Sequence, residues 1–232
     1  VGNDLSVIAS GPTAPDDSTY DDALEVLDRY GVDPPAAVRE RLEAGAAGDL
    51  PETPGPDDPV FDTVRNHVLA DGFTAIDAAR EVAAERGYDT CVLSSSVRGE
   101  AREAALTHVA VAEEMGATGN PVETPAVVLS GGEATATVRG DGVGGPNADF
   151  ALAAAVELPP GATLACVDTD GRDGSSDYAG ALVDADTVDD VGAARRALAN
   201  SDAFGYLGGR DAVVSTGPTG TNVNDLRVLV VE

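Results

Sequence analysis

The sequence predicts an α/β fold, in which short apolar strands alternate with amphipathic helices. From Ala126 to Asp184 it runs through an apolar strand, a glycine-rich turn, a helix, another apolar strand and an aspartate-rich loop. Glycine and aspartate collect where these strands end, and open α/β sheets hold their ligands at that edge. The pattern of residues 60–116 is helix, helix, strand and helix, which is typical of the flank of a parallel sheet. We therefore expect the functional centre within residues 126–184.

The composition is that of a globular protein. Hydrophobic residues make up 43% of the 232 residues, and no apolar run approaches the roughly 18 residues of a membrane span. The chain opens without Met or a secretory signal, directly in strand-like residues, so we expect the C-terminal part of a longer protein. Cys91 and Cys166 lie in apolar strands and are predicted to be small core residues, not a disulfide or a metal pair. Unpaired cysteines suit the reducing cytoplasm, which is the location we predict.

The charge of the chain is strongly negative. The formal net charge is −27, and all fourteen basic residues are Arg. The acidic residues are spread evenly and do not form a tail. At molar salt the Debye length falls to about 3 Å, so such a surface keeps a protein soluble with little self-repulsion. We predict a halophilic protein, and we do not expect nucleic acid as a partner, because no basic face could neutralise phosphates.

Residues 1–120 are predicted to hold two strands and five helices. Ser18 or Thr19 caps the first helix and Gly31 ends it, and Asp33 caps the second helix. Residues 50–59 carry four prolines and are expected to form an extended surface connection. The predicted strands span 5–9 and 89–95, and the predicted helices span 20–30, 34–45, 60–69, 74–86 and 99–115.

The segment Gly119 to Pro125 is the best candidate for a domain boundary, because Gly, Asn and two Pro separate periodic segments there. Beyond it, a Ser-Gly-Gly-Glu turn at 130–133 is expected to fold the two neighbouring strands into a hairpin. Thr187 is the predicted cap of the last helix. The predicted strands span 126–130, 134–139, 162–167, 212–215 and 226–231, and the predicted helices span 147–158 and 187–200.

Several common catalytic motifs are missing from the sequence. A Walker phosphate loop needs Lys, and the chain has none. The two histidines, His67 and His108, both fall on predicted helices, without a zinc motif and without a nucleophile elbow for a Ser-His-Asp triad. We predict that each is a partly buried helix residue.

A glycine motif follows the strand at 134–139. Gly140, Gly142 and Gly145 satisfy G-x-G-x-x-G, and Asp168 closes the next strand at about the distance of a ribose-binding acid. A dinucleotide site is one interpretation of this pattern. The others are a different anion-binding loop and a plain glycine-rich turn. A hairpin over residues 126–139 would exclude the dinucleotide site.

Two polar loops are further candidates. Asp168, Asp170, Asp173 and Asp177 do not have the spacing of a calcium loop, and they form either a solvated loop or a site for Mg²⁺ or substrate hydroxyls. The segment from Thr216 to Asp225 gathers small hydrogen-bonding residues between two strands. It is either a ligand loop or a turn braced by Asn and Thr side chains.

Five segments together resemble a known family. They are GNDLSVIASGPT (2–13), GEAR (99–102), LSGGEATATVRGDGVGG (129–145), DTDGRDGSSDYAGALVD (168–184) and STGPTGTNVNDL (215–226). In this order they are similar to the motifs of the glycerate 2-kinase family, whose C-terminal half is called the MOFRL domain. The resemblance implies that residues 121–232 form a MOFRL-like, three-layer α/β domain with a mixed sheet. Residues 1–120 would be the end of a Rossmann-like α/β domain with its connecting helices.

The resemblance also implies a reaction, the transfer of the ATP γ-phosphoryl group to the 2-hydroxyl of D-glycerate with Mg²⁺. It further implies that a Lys of the N-terminal domain and an Arg of the motif Gly-Gly-Arg-Asn-Gln-Glu take part in the reaction. Here residues 144–149 are GGPNAD, so Pro146 stands where that Arg is expected. We assign Arg139 and Arg172 as its candidate replacements, and Asp170 as the third catalytic residue.

The remaining site residues follow from matching motif positions. Asp170 and Asp173 are the candidate metal ligands, and a small hydroxy acid, the N-terminal domain outside this chain and a homodimer are the expected partners. The candidate substrate- or nucleotide-binding residues are Asp4, Ser10, Ser130, Gly131, Gly132, Glu133, Gly144, Gly145, Asn147, Thr219, Thr221, Asn222 and Asp225.

Two alternatives stay open beside the kinase. One is an NAD(P)-dependent oxidoreductase of the hydroxypyruvate reductase type, which depends on the glycine motif and Asp168. The other is a non-catalytic relative that binds sugar acids, which would explain Pro146.

Overall fold

The computed structural model describes residues 4–8 and 11–232, and these fold as two compact units. The first unit extends to Val68, and the second runs from Leu69 to Glu232. The boundary between residues 120 and 121, which the resemblance implies for the family domains, stays a prediction. None of the helices in the described ranges is long and apolar enough to cross a membrane.

The first unit contains two α-helices, α1 (Tyr20–Tyr30) and α2 (Ala36–Ala46), and a short 3₁₀ helix (Pro59–Thr63). Helix α1 begins as predicted, because the Thr19 and Asp22 side chains form a capping box. It ends at Gly31, which adopts the left-handed conformation with φ 63°.

Two predictions in the first unit are wrong. In place of the strand at 5–9, the described residues Leu5 to Ile8 form turns, in which the Asp4 carboxylate accepts hydrogen bonds from the backbone and hydroxyl of Ser6; Ala9 lies outside the described residues. In place of the helix at 60–69, only the 3₁₀ helix forms. The Asn66 side chain bonds to Thr13, and the apolar side chains that a helix would have buried are exposed, Val68 to 58% and Leu69, the first residue of the second unit, to 95%. His67 therefore lies on no helix and is exposed.

The second unit is built on a six-stranded mixed sheet, which confirms the predicted fold class. The strands lie in the order β1-β2-β6-β3-β4-β5. The β1–β2 pair is parallel, and the other pairs are antiparallel. Their bounds are β1 Asp89–Glu100, β2 Ala126–Thr135, β3 Ala162–Asp168, β4 Gly180–Asp184, β5 Val213–Val214 and β6 Asp225–Val231.

Helices cover both faces of this sheet, which makes three layers. Helix α3 packs through Ile76 against Val127 and Leu129 of β2. The alternate β2 residues, Ala126 and Val128, belong to the larger core on the opposite face. The helices are α3 Gly72–Glu85, α4 Ala101–Thr118, α5 Pro146–Ala155, α6 Val191–Ala199 and α7 Ala203–Gly208. Every residue of α5 after Pro146 is buried, so this helix lies at the centre of the larger core.

The predicted hairpin over residues 126–139 does not form. Strand β2 continues through Ser130, Gly131, Gly132 and Glu133 as one strand. It can do so because Gly132 adopts φ 131° and approaches β1 so closely that a Cβ would lie 2.2 Å from the Val97 carbonyl oxygen. Residues 136–139 follow as irregular chain.

Smaller differences concern capping and length. Helix α6 begins at Val191 because the Asp190 side chain caps it, whereas Thr187 bonds to Asp184. Strand β4 and helix α7 are absent from the prediction. Cys166 is buried and Cys91 half-buried, and both are free thiols, as predicted.

Candidate active site

One end of the sheet brings together residues that are far apart in the chain. Gly132 near the end of β2 is paired with Asp225 at the start of β6, and Asp225 is paired with Asp168 at the end of β3. The loops at 169–179 and 215–224 leave from this end. The glycine-rich segment at 140–145 leads directly into α5, whose first turn contacts the first of these loops.

Helix α5 begins at an acidic side chain from the aspartate-rich loop. Asp173 accepts hydrogen bonds from the backbone N–H groups of Asn147 (3.0 Å) and Ala148 (2.8 Å). Gly145 leaves room for it, because a Cβ there would lie 2.4 Å from the Asp173 carboxyl carbon. The carboxylate thus occupies the place where an external anion would bind a helix N-terminus.

A buried polar chain continues from α5 to the sheet. The Asn147 side-chain amide donates to Asp225 at 2.7 Å, and Asp225 also accepts from the backbone N–H of Ala134 at 3.1 Å. The third partner of Asp225 is Arg227, whose Nη2 donates to it at 2.5 Å. These groups connect α5, β2 and β6 beneath the surface, so each fixes the orientation of the next.

Arg227 is the cation at the inner end of this chain, and it is fully buried. Its guanidinium lies over the Phe150 ring, 4.6 Å from the centroid. Its Nε and Nη1 atoms have no hydrogen-bond partner within the described chain. The carboxylate of Asp225 therefore provides the charge that offsets the buried guanidinium.

His108 and Ser130 form a second buried pair beside Arg227. The His108 Nε2 atom lies 2.7 Å from the Ser130 hydroxyl, and Nδ1 lies 3.1 Å from the Ala104 carbonyl oxygen. Because a carbonyl only accepts, Nδ1 carries the proton and Nε2 accepts from Ser130. Burial lowers the pKa of His108 to about 4. The prediction of a buried helix histidine is confirmed for His108, which lies on α4 and is 3% exposed.

The two polar loops are tied to each other by short hydrogen bonds. The Thr219 hydroxyl donates to the Thr169 carbonyl oxygen at 2.6 Å, and the Thr169 hydroxyl donates to the Asn224 carbonyl oxygen at 2.7 Å. The Asn222 side-chain amide donates to Asp170 at 3.2 Å. The 216–225 segment is thus a turn braced by Thr and Asn side chains, as one of the two sequence interpretations expected, and its role as a ligand loop stays a prediction.

Carboxylates at this end of the sheet hold protons more tightly than usual. Burial raises the pKa of Asp173 to about 6, against the effect of its two backbone hydrogen bonds. Burial, together with the nearby carboxylates of Asp170 and Asp225, raises the pKa of Asp168 to about 6. Negative charge is thus concentrated around Asp168.

A pocket of about 330 Å³ lies against the glycine-rich segment. Asp149 lies at this pocket and is 2% exposed. One carboxylate oxygen, Oδ2, accepts hydrogen bonds from Arg102 Nε (2.9 Å) and Nη2 (2.6 Å). Other residues that line the pocket are Ala136, Val138, Gly142, Gly144, Gly145, Pro146, Gly174, Ser175 and Ser201.

The three residues predicted as catalytic lie in loops or irregular chain. Arg139 is exposed, and its backbone N–H donates to the Ser201 hydroxyl. Arg172 is exposed and forms an ion pair with Asp177 at 2.9 Å. Asp170 accepts from the Arg172 backbone and from Asn222. Their roles stay predictions.

The two predicted metal ligands face different elements. Asp173 is directed at α5, and Asp170 at the 215–224 loop. Within the described ranges, no group of three or more His, Cys, Asp and Glu residues could hold a metal ion.

The predicted binding residues divide into a buried and an exposed set. Ser130, Gly131, Gly132, Gly145, Asn147 and Asp225 are buried, whereas Glu133, Thr219, Thr221 and Asn222 are exposed and Gly144 is intermediate. Asp4 lies in the first unit and is exposed, and Ser10 lies outside the described residues.

A group of serines in the interior of β1, residues 94–96, was not among the predicted site residues. The pairing of β1 with β2 shifts register between Val92 and Val97, as in a β-bulge. Ser94 lies in this bulge and accepts a hydrogen bond from the Ser96 backbone N–H at 3.0 Å. The start of α3 at Gly72 lies beside Ser95 and Val223. The one signal in the sequence was the run of three serines at the end of the predicted strand.

Comparison with known proteins places the whole chain among related sequences. Residues 126–225 match the model of the MOFRL family, and residues 1–43 match a domain of unknown function, DUF4147. The chain is 37% identical to the D-glycerate 2-kinase of Thermotoga maritima over 232 residues, which are 97% of this chain and 53% of the relative. A relative from Agrobacterium vitis, provisionally named a hydroxypyruvate reductase, is 37% identical over 99% of this chain and 60% of its own length.

The fold is also similar to a solved structure. The crystal structure of a glycerate kinase from Thermotoga maritima superposes with a TM-score of 0.81 at 36% identity. The match covers 99% of this chain and 54% of that protein. The chain therefore spans about half the length of the kinases that it matches.

Proposed function

Because the chain belongs to the glycerate 2-kinase family, we propose that the protein transfers a phosphoryl group from ATP to the 2-hydroxyl of D-glycerate. The observation that carries this proposal is the 37% identity to a D-glycerate 2-kinase along 97% of this chain. The buried polar chain from Asp173 to Arg227 supports it, because it fixes the sheet end on which the family motifs meet. Phosphoryl transfer depends on positioning and on charge stabilisation, and a rigid sheet end provides the first of these.

We propose that Mg²⁺, when bound, lies near Asp170 and Asp168. Mg²⁺ usually takes one or two carboxylates and keeps several waters. A cation would favour the ionised form of Asp168, whose pKa is raised by burial and by the carboxylates of Asp170 and Asp225. Asp173 fits this role less well, since both of its oxygens accept backbone N–H groups of α5. Mg²⁺ would neutralise charge on the phosphates of ATP. A Lys from the N-terminal domain outside this chain completes the site in this proposal.

Pro146 is compatible with the local structure, because it stands at the first position of α5, where a missing N–H costs nothing. The cation expected there must then come from elsewhere in the active protein. We propose Arg139 or Arg172 for this role, since both are exposed and lie in the segments that follow β2 and β3. Removing a group that stabilises transition-state charge commonly costs about 10²–10³ in kcat. Arg139→Gln and Arg172→Gln, compared in the full-length protein, identify which of them acts.

The test is release of ADP that depends on both ATP and D-glycerate, measured with the full-length protein at low and at molar salt. We expect turnover that chelation of Mg²⁺ abolishes. Absence of turnover at every salt concentration would contradict the kinase. If D-glycerate still bound tightly and Pro146→Arg restored turnover, the protein would be the non-catalytic relative.

The second candidate is a hydroxypyruvate reductase, which the name of the Agrobacterium relative favours. The hairpin that would have excluded it does not form. The space beside the glycines of the motif, however, is filled by other residues of this chain. A Cβ at Gly140 or Gly142 would lie 2.3 Å from an Asn200 or Asp202 side-chain atom. Oxidation of NADH or NADPH with hydroxypyruvate would support this candidate over the kinase.

We also propose that the protein works in a salt-rich cytoplasm. The net charge of −27 supports this, because screening removes most of its self-repulsion at high salt. A melting temperature that does not rise with KCl would contradict it. The homodimer stays a prediction, and sedimentation of the full-length protein tests it.

A further inference from the structure

The first unit has almost no buried core of its own. Of its described residues, 4–8 and 11–68, only Gly45 is buried. A folded unit is stabilised mainly by burying apolar side chains, which offsets the loss of chain entropy. The first unit therefore needs a further surface against which its apolar side chains can pack. Its exposed large apolar side chains are Leu5, Val7, Ile8, Val26, Tyr30, Val32, Val38, Val60 and Val68.

The two α-helices of this unit hold each other in a fixed arrangement. The Tyr20 ring of α1 packs on Gly45 of α2, where a Cβ would lie 2.2 Å from a ring atom. The Tyr20 hydroxyl donates to the Pro51 carbonyl oxygen at 3.3 Å, and the Tyr20 backbone N–H donates to the Glu52 side chain at 3.1 Å. Helix α1 thus keeps one side toward α2, and this contact fixes the direction of its other sides.

One uncovered side of α1 is apolar. Ala23, Val26 and Tyr30 follow each other at spacings of three and four residues, so they form a single stripe along the helix, the α1 stripe. Val26 is 51% exposed and Tyr30 is 73% exposed. An uncharged stripe on the surface of a chain with a net charge of −27 indicates a contact surface. The charged residues of α1 lie outside the stripe, and they are Asp21, Asp22, Glu25, Asp28 and Arg29.

The relatives indicate what covers the α1 stripe. Residues 1–43, which include α1, match the DUF4147 model. The alignment with the Thermotoga kinase uses 97% of this chain but only 53% of the kinase, so nearly half of that kinase has no counterpart here. By the family resemblance this half precedes residue 1, which joins it to the first unit. A joined segment has a high effective concentration at the stripe, which a second copy of the chain lacks.

We propose that the α1 stripe is the docking surface of the N-terminal domain outside this chain, and that the first unit completes its core only in this contact. The partner surface is apolar, since a charged side chain held against Val26 and Tyr30 would lose its hydration without gaining a partner. The proposal rests on the proposed function for its partner, because the family membership supplies the N-terminal domain, but it does not depend on the reaction.

A photo-crosslinker in the full-length protein identifies what covers the stripe. A benzophenone amino acid, similar in shape to tyrosine, replaces Tyr30. In the matched control it replaces Val82 of α3, which is 49% exposed. After irradiation and mass spectrometry, we expect the Tyr30 position to be joined to a peptide of the N-terminal domain and the Val82 position to give little of that product. A link to a second copy, a link to residues 69–232 or no protein product at position 30 would overturn the proposal.

A matched pair of charge variants measures what the contact contributes to stability. Val26 and Val82 are almost equally exposed in this chain, at 51% and 49%, and both lie on helices. If the stripe is docked, Val26→Glu places a charge in an apolar contact, and the melting temperature of the full-length protein should fall by about 5 °C or more. Val82→Glu should shift it by less than about 2 °C, as surface changes usually do. Equal shifts in the two variants would overturn the proposal.

The cross-link decides the outcome even if Val26→Glu does not fold, because the tyrosine-like crosslinker adds no charge to the stripe. It also separates this proposal from the kinase. If position 30 is joined to the N-terminal domain but ATP and D-glycerate release no ADP, the kinase fails and the docking surface stands. If ADP is released but position 30 is joined to nothing in the N-terminal domain, the docking surface fails and the kinase stands.

Discussion

Asp170 and Asp173 lie three residues apart in one loop, yet their environments differ. Asp173 is 1% exposed and caps α5 from inside the core. Asp170 is half-buried and accepts hydrogen bonds from the Arg172 backbone and the Asn222 side chain. Identical side chains at nearby positions thus have different roles. Asp173 holds the start of α5, whereas Asp170 connects the two polar loops through Asn222. The same division separates the buried chain through Asp225 and Arg227 from the exposed loop pair through Thr219.

The largest effect on stability is expected in the buried hydrogen-bonded chain through Asp225 and Arg227. Asp225→Asn removes the charge that offsets fully buried Arg227, and losing one partner of a buried ion pair costs about 3–5 kcal/mol. Asp177→Asn breaks the exposed pair with Arg172 and should change the free energy of unfolding by less than about 1 kcal/mol. Urea unfolding of both variants measures the contrast.

A double variant sharpens this first contrast. Asp225→Asn combined with Arg227→Met removes both charges, so much of the lost stability should return. Equal losses in Asp225→Asn and Asp177→Asn would contradict the division into a buried and an exposed half.

The second expected effect is a dependence of stability on pH, caused by the buried groups Asp173 and His108. The pKa of Asp173 is raised to about 6 in the folded state, so its stabilising contribution is complete below about pH 4 and is lost as the pH rises through 6. At about 1.4 kcal/mol per pKa unit, the loss is at most about 3 kcal/mol. The pKa of His108, lowered to about 4, has the opposite effect, because stability is then lost as the pH falls from 6.5 to 4.

Asp173→Asn and His108→Gln separate these opposed contributions. As the pH rises from 4 to 6, the free energy of unfolding of Asp173→Asn should increase relative to that of the wild-type protein. That of His108→Gln should decrease relative to the wild-type protein over the same range. Chemical unfolding at half-unit pH steps measures both slopes. Parallel curves for all three proteins would show that neither group titrates differently in the folded state.

The smallest effect is expected in the exposed half. Thr219→Val removes the hydroxyl that ties the two loops together through Thr169 and should cost about 0.5–1.5 kcal/mol. The Thr221 hydroxyl makes no hydrogen bond within the described residues, so Thr221→Val should leave stability unchanged. If Thr221 contacts substrate, as the family motif implies, its variant should raise KM with no change in melting temperature. A loss of stability in Thr221→Val alone would reverse the two roles.

The sequence predicted the helices better than it predicted strand β2. Helical periodicity and capping residues located α1, α3, α4 and α5 to within a few residues, because these signals are local. The Ser-Gly-Gly-Glu segment was expected to turn, since glycine usually ends a strand. Here Gly132 instead allows β2 to pass close to Val97. That approach depends on β1, which the local sequence does not describe.

The candidate site shows the same limit. Motif matching selected Asn147, Asp173 and Asp225, which the structure joins in one hydrogen-bonded chain. It gave no indication of Arg227 or His108, because each resembles an ordinary strand or helix residue until its burial is known. Arg102 and Asp149 lie within or beside matched motifs, but nothing in the sequence indicated that they form a buried ion pair.

Helix α5 has a consequence for the protein's slow motions. It is enclosed on every side, and its first two free N–H groups are held by Asp173. The helix therefore has no solvent-exposed side at which it could unfold one turn at a time. Its amide protons should therefore exchange with solvent only when the whole second unit opens, which makes α5 an internal reporter of global unfolding.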